Sequence, residues 1–292
     1  RPHPVARSLA SQRTHVLGVV IPRQSSALFT DPYFPCLLEG ITQECNAQDY
    51  TLALFLLQTP ADEEKLLPRI TRRGALDGLI VQVGQEEDHF IKRLLEGDVP
   101  LVVAGRPAQA TGASYVDVDN RGGACRAVTH LLDLGHTRVA TITGARNTTT
   151  GQDRYAGYVD AHCAHDLPID QALVAEGDYS EAGGYRAMNM LLEQRPDAVF
   201  AASDMMAIGA MRAIYETDLV VPDDVAVVGF DDLPPAARAM PPLTTVHQPV
   251  QQFGQCAVKM LLDIVENDRH EPYHRVLSTK LIIRDSCGMT EK

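Results

Sequence analysis

Asp231 and Asp232 follow directly on the apolar run Val225-Ala-Val-Val-Gly-Phe230. Two carboxylates therefore stand just past the carboxyl end of a predicted strand, where open α/β sheets bind their ligands. A carboxylate in that place accepts hydrogen bonds from paired hydroxyls. Arg154 is the matching donor, because a guanidinium at a helix start offers several fixed N–H groups to sugar hydroxyls or to a carboxylate. Asp31 and Asp231 invite a second reading, as the paired carboxylates of a sugar hydrolase. No nucleophile and no apolar setting that would raise one of their pKa values accompanies them. His162, Cys163 and His165 bring metal-binding side-chain types close together. They ride on a helix at i, i+1 and i+3, and no second Cys/His group lies nearby to complete a ligand set. The expectation is no metal, with one buried cysteine and two solvated histidines. Gly183-Gly184 opens a helix after a strand, a place that can hold an anion but reads here as a plain helix start. The sequence has no G-x-G-x-x-G after a strand, no phosphate-binding P-loop, no G-x-S-x-G elbow and no H-E-x-x-H. No cofactor is expected.

The elements that position these residues alternate from His15 onward. Short β-rich apolar runs are predicted at Val16–Ile21, Thr51–Leu56, Leu76–Val83, Leu101–Ala104, Tyr115–Val118, Val139–Thr143, Leu173–Glu176, Ala198–Ala202, Val225–Phe230 and Leu277–Ile283. Between them run segments of helical period: Tyr33–Ala47, Asp62–Arg73, Glu86–Glu96, Arg121–Leu134, Asp153–His165, Glu181–Gln194, Asp204–Glu216 and Val250–Val265. This alternation is the signature of βαβ units and mostly parallel sheets. So many strands favour two sheets over one. Asp62, Asp153 and Asp204 are placed to cap or charge helix starts, and Gly97 and Gly135 to stop helices. The proline-rich stretch Asp231–Leu243 reads as an ordered loop near a sheet edge.

At 292 residues the chain is long enough for two domains with separate cores. The hydrophobic fraction of 45% and charged fraction of 22% fit a soluble globular protein. No run approaches the ~18 apolar residues of a membrane span, so no membrane contact is expected. Six widely spaced cysteines without a Cys-x-x-Cys pair read as reduced core thiols of a cytoplasmic protein. The formal charge is −12, yet residues 1–13 carry Arg1, Arg7 and Arg13 and no acid. A body this acidic repels phosphate backbones, so nucleic-acid contact must run through the basic N-terminal segment or through a module upstream of Arg1.

Three stretches in order resemble the LacI/GalR family of bacterial repressors across nearly the whole chain. The first is Pro4-Val-Ala-Arg-Ser-Leu9 with Thr14-His-Val-Leu-Gly-Val-Val-Ile-Pro22. The second is His130-Leu-Leu-Asp-Leu-Gly-His136 with Arg154-Tyr-Ala-Gly-Tyr158. The third is Ala202-Ser-Asp-Met-Met-Ala-Ile-Gly209 with Val221-Pro-Asp-Asp-Val-Ala-Val-Val-Gly-Phe-Asp-Asp232, Pro241-Pro-Leu-Thr-Thr245 and Leu281-Ile-Ile-Arg-Asp-Ser-Cys287. The resemblance implies a fold like type I periplasmic binding proteins: two doubly wound parallel-sheet α/β lobes joined by three crossover strands, with a ligand between them. It assigns 1–14 to a hinge segment, 15–134 with 249–276 to a DNA-proximal lobe, and 135–248 with 277–292 to a distal lobe. The hinge would touch operator DNA through Val5, Ala6, Arg7 and Leu9, with Leu9 wedged in the minor groove. A helix this short is ordered only on DNA with a partner chain. The helix-turn-helix headpiece of the family is expected upstream of Arg1.

The same resemblance lines the effector site with Asp31, Tyr33, Phe34, Arg106, Thr150, Arg154, Tyr179, Ser203, Asp231 and Gln248. Tyr33 and Phe34 open a helix after the first strand, and either lines a pocket or packs in the core. Asp31 orients hydroxyls or caps that helix. Tyr179 matches a stacking aromatic, and Gln248 touches ligand or braces a crossing. Ser203 departs from the Asn that many relatives carry. Asp232 is read as a loop anchor. The implied protein is the sensing and dimerisation core of a transcriptional repressor, with a sugar-like effector, operator DNA and a second copy of itself as partners, a tetramer being allowed. The rival reading is a periplasmic sugar-binding protein serving a transporter, for which the hinge motif has no purpose.

Overall fold

The computed structural model describes residues 13–21, 30–57, 59–72, 74–82, 89–108, 112–267 and 271–288. The hinge candidates Val5, Ala6, Arg7 and Leu9 lie outside them. In chain order the elements are β1 (Val16–Ile21), α1 (Tyr33–Ala47), β2 (Thr51–Leu56), α2 (Pro60–Ile70), β3 (Gly78–Gln82), α3 (His89–Leu95), β4 (Leu101–Ala104), β5 (Ser114–Val118) and α4 (Asn120–Asp133). There follow β6 (Val139–Thr143), α5 (Thr149–Ala164), β7 (Val174–Glu176), α6 (Glu181–Leu192), β8 (Ala198–Ala201), α7 (Asp204–Tyr215), β9 (Ala226–Asp231), α8 (Pro234–Arg238), β10 (Thr244–His247), α9 (Val250–Asn267), β11 (His274–Leu277) and β12 (Lys280–Ile282).

They form two compact units, Arg1–Asp117 with Val250–Val276 and Val118–Pro249 with Leu277–Lys292. The first holds a six-stranded sheet in the order β11-β5-β4-β3-β1-β2, and the second a six-stranded sheet in the order β12-β10-β9-β8-β6-β7. The pairings of β1 with β2 and β3, of β3 with β4 and of β4 with β5 are parallel. In the second sheet β6, β7, β8, β9 and β10 pair parallel, and β12 runs antiparallel along β10. The two doubly wound sheets expected from the βαβ alternation are therefore present.

Strands sandwiched between helices must be apolar on both faces. In the second unit Ala140 and Ile142 of β6 join the core under α6 and α7, while Val139 joins the core under α4 and α5. Side chains cap the helices locally. Thr59 and Asp62 form a reciprocal capping box on α2, and Thr148, Ser180 and Ser203 accept N–H groups at the starts of α5, α6 and α7. Asp62 thus acts at a helix start, whereas Asp153 falls inside α5, which begins at Thr149. Gly135 stops α4 with φ +96.

Five expectations need correction. The first boundary lies at Asp117–Val118, not after residue 134, so α4 belongs to the second unit. Its apolar face, Ala124, Ala127, Val128 and Leu131, shares a core with Tyr158, Phe200 and Phe230. A Cβ at Gly157 would come within 2.2 Å of the Arg121 carbonyl, so α4 and α5 touch backbone to backbone. Thr244–His247 is a strand where none was expected, and Leu277–Ile283 is not one strand: β11, His274–Leu277 in the first sheet, ends at Leu277, and β12 in the second sheet covers Lys280–Ile282. The proline-rich loop contains the five-residue helix α8, whose first turn tolerates Pro234 and Pro235 because those positions lack helical N–H partners anyway. Finally, the burial around His162 is inverted. His162 is 4% exposed with its ring 4.2 Å from that of Tyr158, Cys163 is exposed, and His165 bonds Asp133 at 3.1 Å. Tyr158, Ala161 and His162 fall at i, i+3 and i+4, which makes that face the core face.

Candidate functional site

The carboxyl ends of β6, β8, β9 and β10 carry most of the second unit's candidates, and their strand order reverses at β6, between β7 and β8. This is the switch point at which doubly wound sheets bind ligands. Arg154, on the second turn of α5, is 3% exposed. Its Nε donates to Asn120 Oδ1 at 2.9 Å, and its NH1 donates to the Ala202 carbonyl at 2.6 Å and to Asp231 Oδ1 at 3.2 Å. Its Cζ lies 3.6 Å from the centroid of the Phe230 ring, a cation–π contact. Asp231 is 6% exposed and also accepts from Gln248 Nε2 at 2.5 Å. Arg154, Asp231 and Gln248 thus form one buried cluster. The arginine and the aspartate are an ion pair within one unit.

The backbone around this cluster is strained. Asp231 has φ 121, Asp232 φ 58 and Tyr179 φ 66, values that non-glycine residues adopt at a cost of about 1–3 kcal/mol. Asp232 holds the loop, bonding His247 Nδ1 at 2.9 Å and Arg284 NH2 at 2.6 Å. Asp204, fully buried at the start of α7, accepts from Leu233 N and Thr245 Oγ1. Burial first, and then the negative charge of Asp231, raise its pKa well above the ordinary 3.8.

The other candidates are placed as follows. Ser203 is 3% exposed and caps α7 by accepting from Met206 N at 3.2 Å. Thr150 is half-buried in the first turn of α5. Tyr179 is half-buried, its hydroxyl 3.4 Å from Thr148 Oγ1. In the first unit, Asp31 Oδ1 accepts from Tyr33 N at 3.0 Å, so it closes the turn into α1. Phe34 is 4% exposed and meets half-buried Tyr33 edge to face at 5.5 Å. Arg106 is half-buried after β4. Sequence reasoning missed Asn120 and the ring of Phe230. Asn120 follows the carboxyl end of β5, the same signal that singled out Asp231.

Among the described residues no group of three His, Cys, Asp or Glu could hold a metal ion, and no helix is long and apolar enough to cross a membrane. Residues 128–287 match the family model described as a periplasmic binding protein-like domain. The HTH-type transcriptional regulator CelR of Thermobifida fusca is 34% identical over 98% of this chain and 85% of its own length. The chain belongs to the LacI family of transcriptional regulators. A solved CelR–cellobiose complex superposes with a TM-score of 0.90 at 32% identity, covering 97% of this chain and 89% of that one. A LacI transcriptional regulator from Bacillus cereus subsp. cytotoxis gives 0.89 at 30% identity, covering 94% and 99%. Membership of the LacI family fixes the two-sheet architecture as that of the family's periplasmic-binding-protein-like core. It also sets the relatives apart from transporter subunits, since they are regulators of transcription over almost the whole of this chain.

Proposed function

We propose that this chain is the sensing core of a cytoplasmic repressor that binds a sugar and catalyses nothing. Arg154 and Asp231 are its principal ligand groups, and Gln248, Ser203, Tyr179 and Thr150 stand on the same strand-end face of the second unit. The observation that carries the reading is the buried Arg154–Asp231 pair, its guanidinium held in place over Phe230: fixed donors beside a fixed acceptor are components that a polyhydroxylated ligand needs. The likeness to a regulator solved with cellobiose supports a sugar, and cellobiose is the first compound to test. Asp31, Tyr33, Phe34 and Arg106 enter this reading through the family resemblance. Operator DNA is bound through a headpiece and the hinge segment 1–14, and the protein works as a homodimer.

The test is calorimetric titration with cellobiose, ribose and glucose, beside thermal shift, since a ligand that binds the native state alone raises the melting temperature. One sugar is expected to bind the wild type, and Arg154→Ala and Asp231→Ala to abolish the heat. A gel shift with the full-length regulator should then show operator affinity changing with that sugar. The proposal falls if no sugar binds, or if a sugar is turned over to product.

A further inference from the structure

The chain passes between the two units three times, at Asp117–Val118, Pro249–Val250 and Val276–Leu277. Close to each of the first two crossings stands a side chain bonded to the Arg154–Asp231 pair. Asn120 accepts from Arg154 Nε at 2.9 Å and donates to the Val118 carbonyl at 3.3 Å, so it spans from the guanidinium to the first crossing. Gln248 donates to Asp231 Oδ1 at 2.5 Å, and its own backbone N–H bonds the Asp231 carbonyl at 3.3 Å, one residue before the second crossing. The third crossing joins the first. Asp119 N donates to the Leu277 carbonyl at 2.9 Å, Thr279 Oγ1 donates to the Asp119 carbonyl at 3.2 Å, and Arg126 reaches Asp119 Oδ2 at 3.2 Å and the Thr279 carbonyl at 3.1 Å.

All three crossings are thus within one or two hydrogen bonds of one buried ion pair. Asn120 and Gln248 are 3% and 6% exposed, so neither bond exchanges freely with water, and breaking either leaves a buried polar group unsatisfied. We infer that Asn120 and Gln248 are positioning residues that transmit the state of the Arg154–Asp231 pair to the interunit crossings, Asn120 to the first and third and Gln248 to the second. A ligand that draws on Arg154 or Asp231 changes what those two amides hold, and the crossings respond. This rests on the proposed ligand role of the pair for its purpose, but the wiring itself exists without any ligand.

Hydrogen exchange on the 292-residue chain tests it. Peptides covering residues 116–121, 246–250 and 276–280 are followed in wild type, Arg154→Lys and Asp231→Asn without sugar, with circular dichroism confirming that each variant is folded. Arg154→Lys keeps the charge, which guards against simple unfolding, but loses the fork that serves Asn120 and Asp231 together. The expected result is crossed. Asp231→Asn speeds exchange at 116–121 by about threefold or more although it does not touch Asn120, and Arg154→Lys does the same at 246–250 although it does not touch Gln248. Asn120→Asp, which retains the acceptor for Arg154 but loses the donor to Val118, should speed 116–121 and 276–280 and leave 246–250 as in wild type. If each variant alters only its own surroundings, the inference is overturned. In the second arm, 5 mM cellobiose is added to wild type and Asn120→Asp. Protection at all three crossings in wild type, and at 246–250 alone in the variant, supports the transmission. Crossed effects without any protection by cellobiose, ribose or glucose leave the wiring standing and sink the sugar assignment instead.

Discussion

The guanidinium of Arg154 lies over the ring of Phe230, 3.6 Å from its centroid, while its NH1 nitrogen is 3.2 Å from the Asp231 carboxylate. An apolar ring on the face and acceptors along the edge hold the group in one orientation. Both charges are more than nine-tenths buried, so each depends on the other for its solvation. Such a pair is weak as a source of net stability but severe in its effect when halved.

Arg154→Met should therefore destabilise the protein by about 3–5 kcal/mol, because Asp231 is left buried and uncompensated. Arg154→Met with Asp231→Asn should recover most of that loss. Urea unfolding at neutral pH reads both, and equal midpoints for the single and double variants would contradict the pairing. Phe230→Leu, which keeps the apolar surface but removes the ring, should cost about 1–2 kcal/mol through the lost cation–π contact and a small cavity.

Asp204 predicts a pH dependence. Its folded pKa is raised, so the folded state keeps a proton that the unfolded chain releases above the ordinary 3.8. Stability from this group is therefore fully present in acid and is lost as pH climbs from 3.8 toward the folded pKa. Asp204→Asn removes the titration. The stability of wild type relative to Asp204→Asn should fall as pH rises above the ordinary 3.8. A difference that does not move with pH would mean that Asp204 is ionised when folded.

Ser203 tests a position where structure and ligand chemistry overlap. Its hydroxyl caps Met206 N, so Ser203→Ala should cost about 1 kcal/mol in thermal or urea unfolding. Asn caps as well as Ser, so Ser203→Asn should be within a few tenths of a kcal/mol of wild type. Calorimetry with cellobiose then separates the two roles: a change in Kd for Ser203→Asn without a change in stability marks Ser203 as a ligand contact.

The cysteines should sort by exposure under a thiol reagent at neutral pH. Cys163 is exposed, Cys36 and Cys125 are half-buried, and Cys45, Cys256 and Cys287 are buried. Burial, with Glu44 beside it, pushes the Cys45 thiol up to about 11, which leaves almost no thiolate at pH 7. One fast phase is expected, and Cys163→Ser should remove it. A fast phase that survives this substitution would place the reactive thiol elsewhere.

The strands and helices of both units were legible because parallel sheets leave long apolar runs separated by amphipathic segments. Val16–Ile21, Thr51–Leu56, Leu101–Ala104 and Val139–Thr143 match to the residue. What failed depended on contacts remote in sequence. β10, Thr244–His247, is short and half polar, and its threonines are buried only because Asp204, Arg284 and Ser286 bond them. The boundary near Gly135 comes from the family resemblance alone, and no local signal shows that α4 packs forward onto α5. His162 is buried and Cys163 exposed, against expectation, because two histidines and a cysteine say little about which side of a helix is apolar. For the site, strand ends pointed correctly to Asp231, and a motif pointed to Arg154. That the two pair with each other, and that Asn120 completes the set, required coordinates.

The last antiparallel strand shows how the chain closes its second sheet. β12 lines β10 from Thr245 to His247, and beyond it Ser286 Oγ donates to the Val227 carbonyl while Arg284 NH1 donates to that of Leu243. A protease cut or stop codon after Leu277 would strip that clasp and leave β10 with an open row of backbone donors and acceptors. Bare edges of this kind recruit strands from other molecules, so the shortened chain should accumulate as aggregate and not as a weaker sensor.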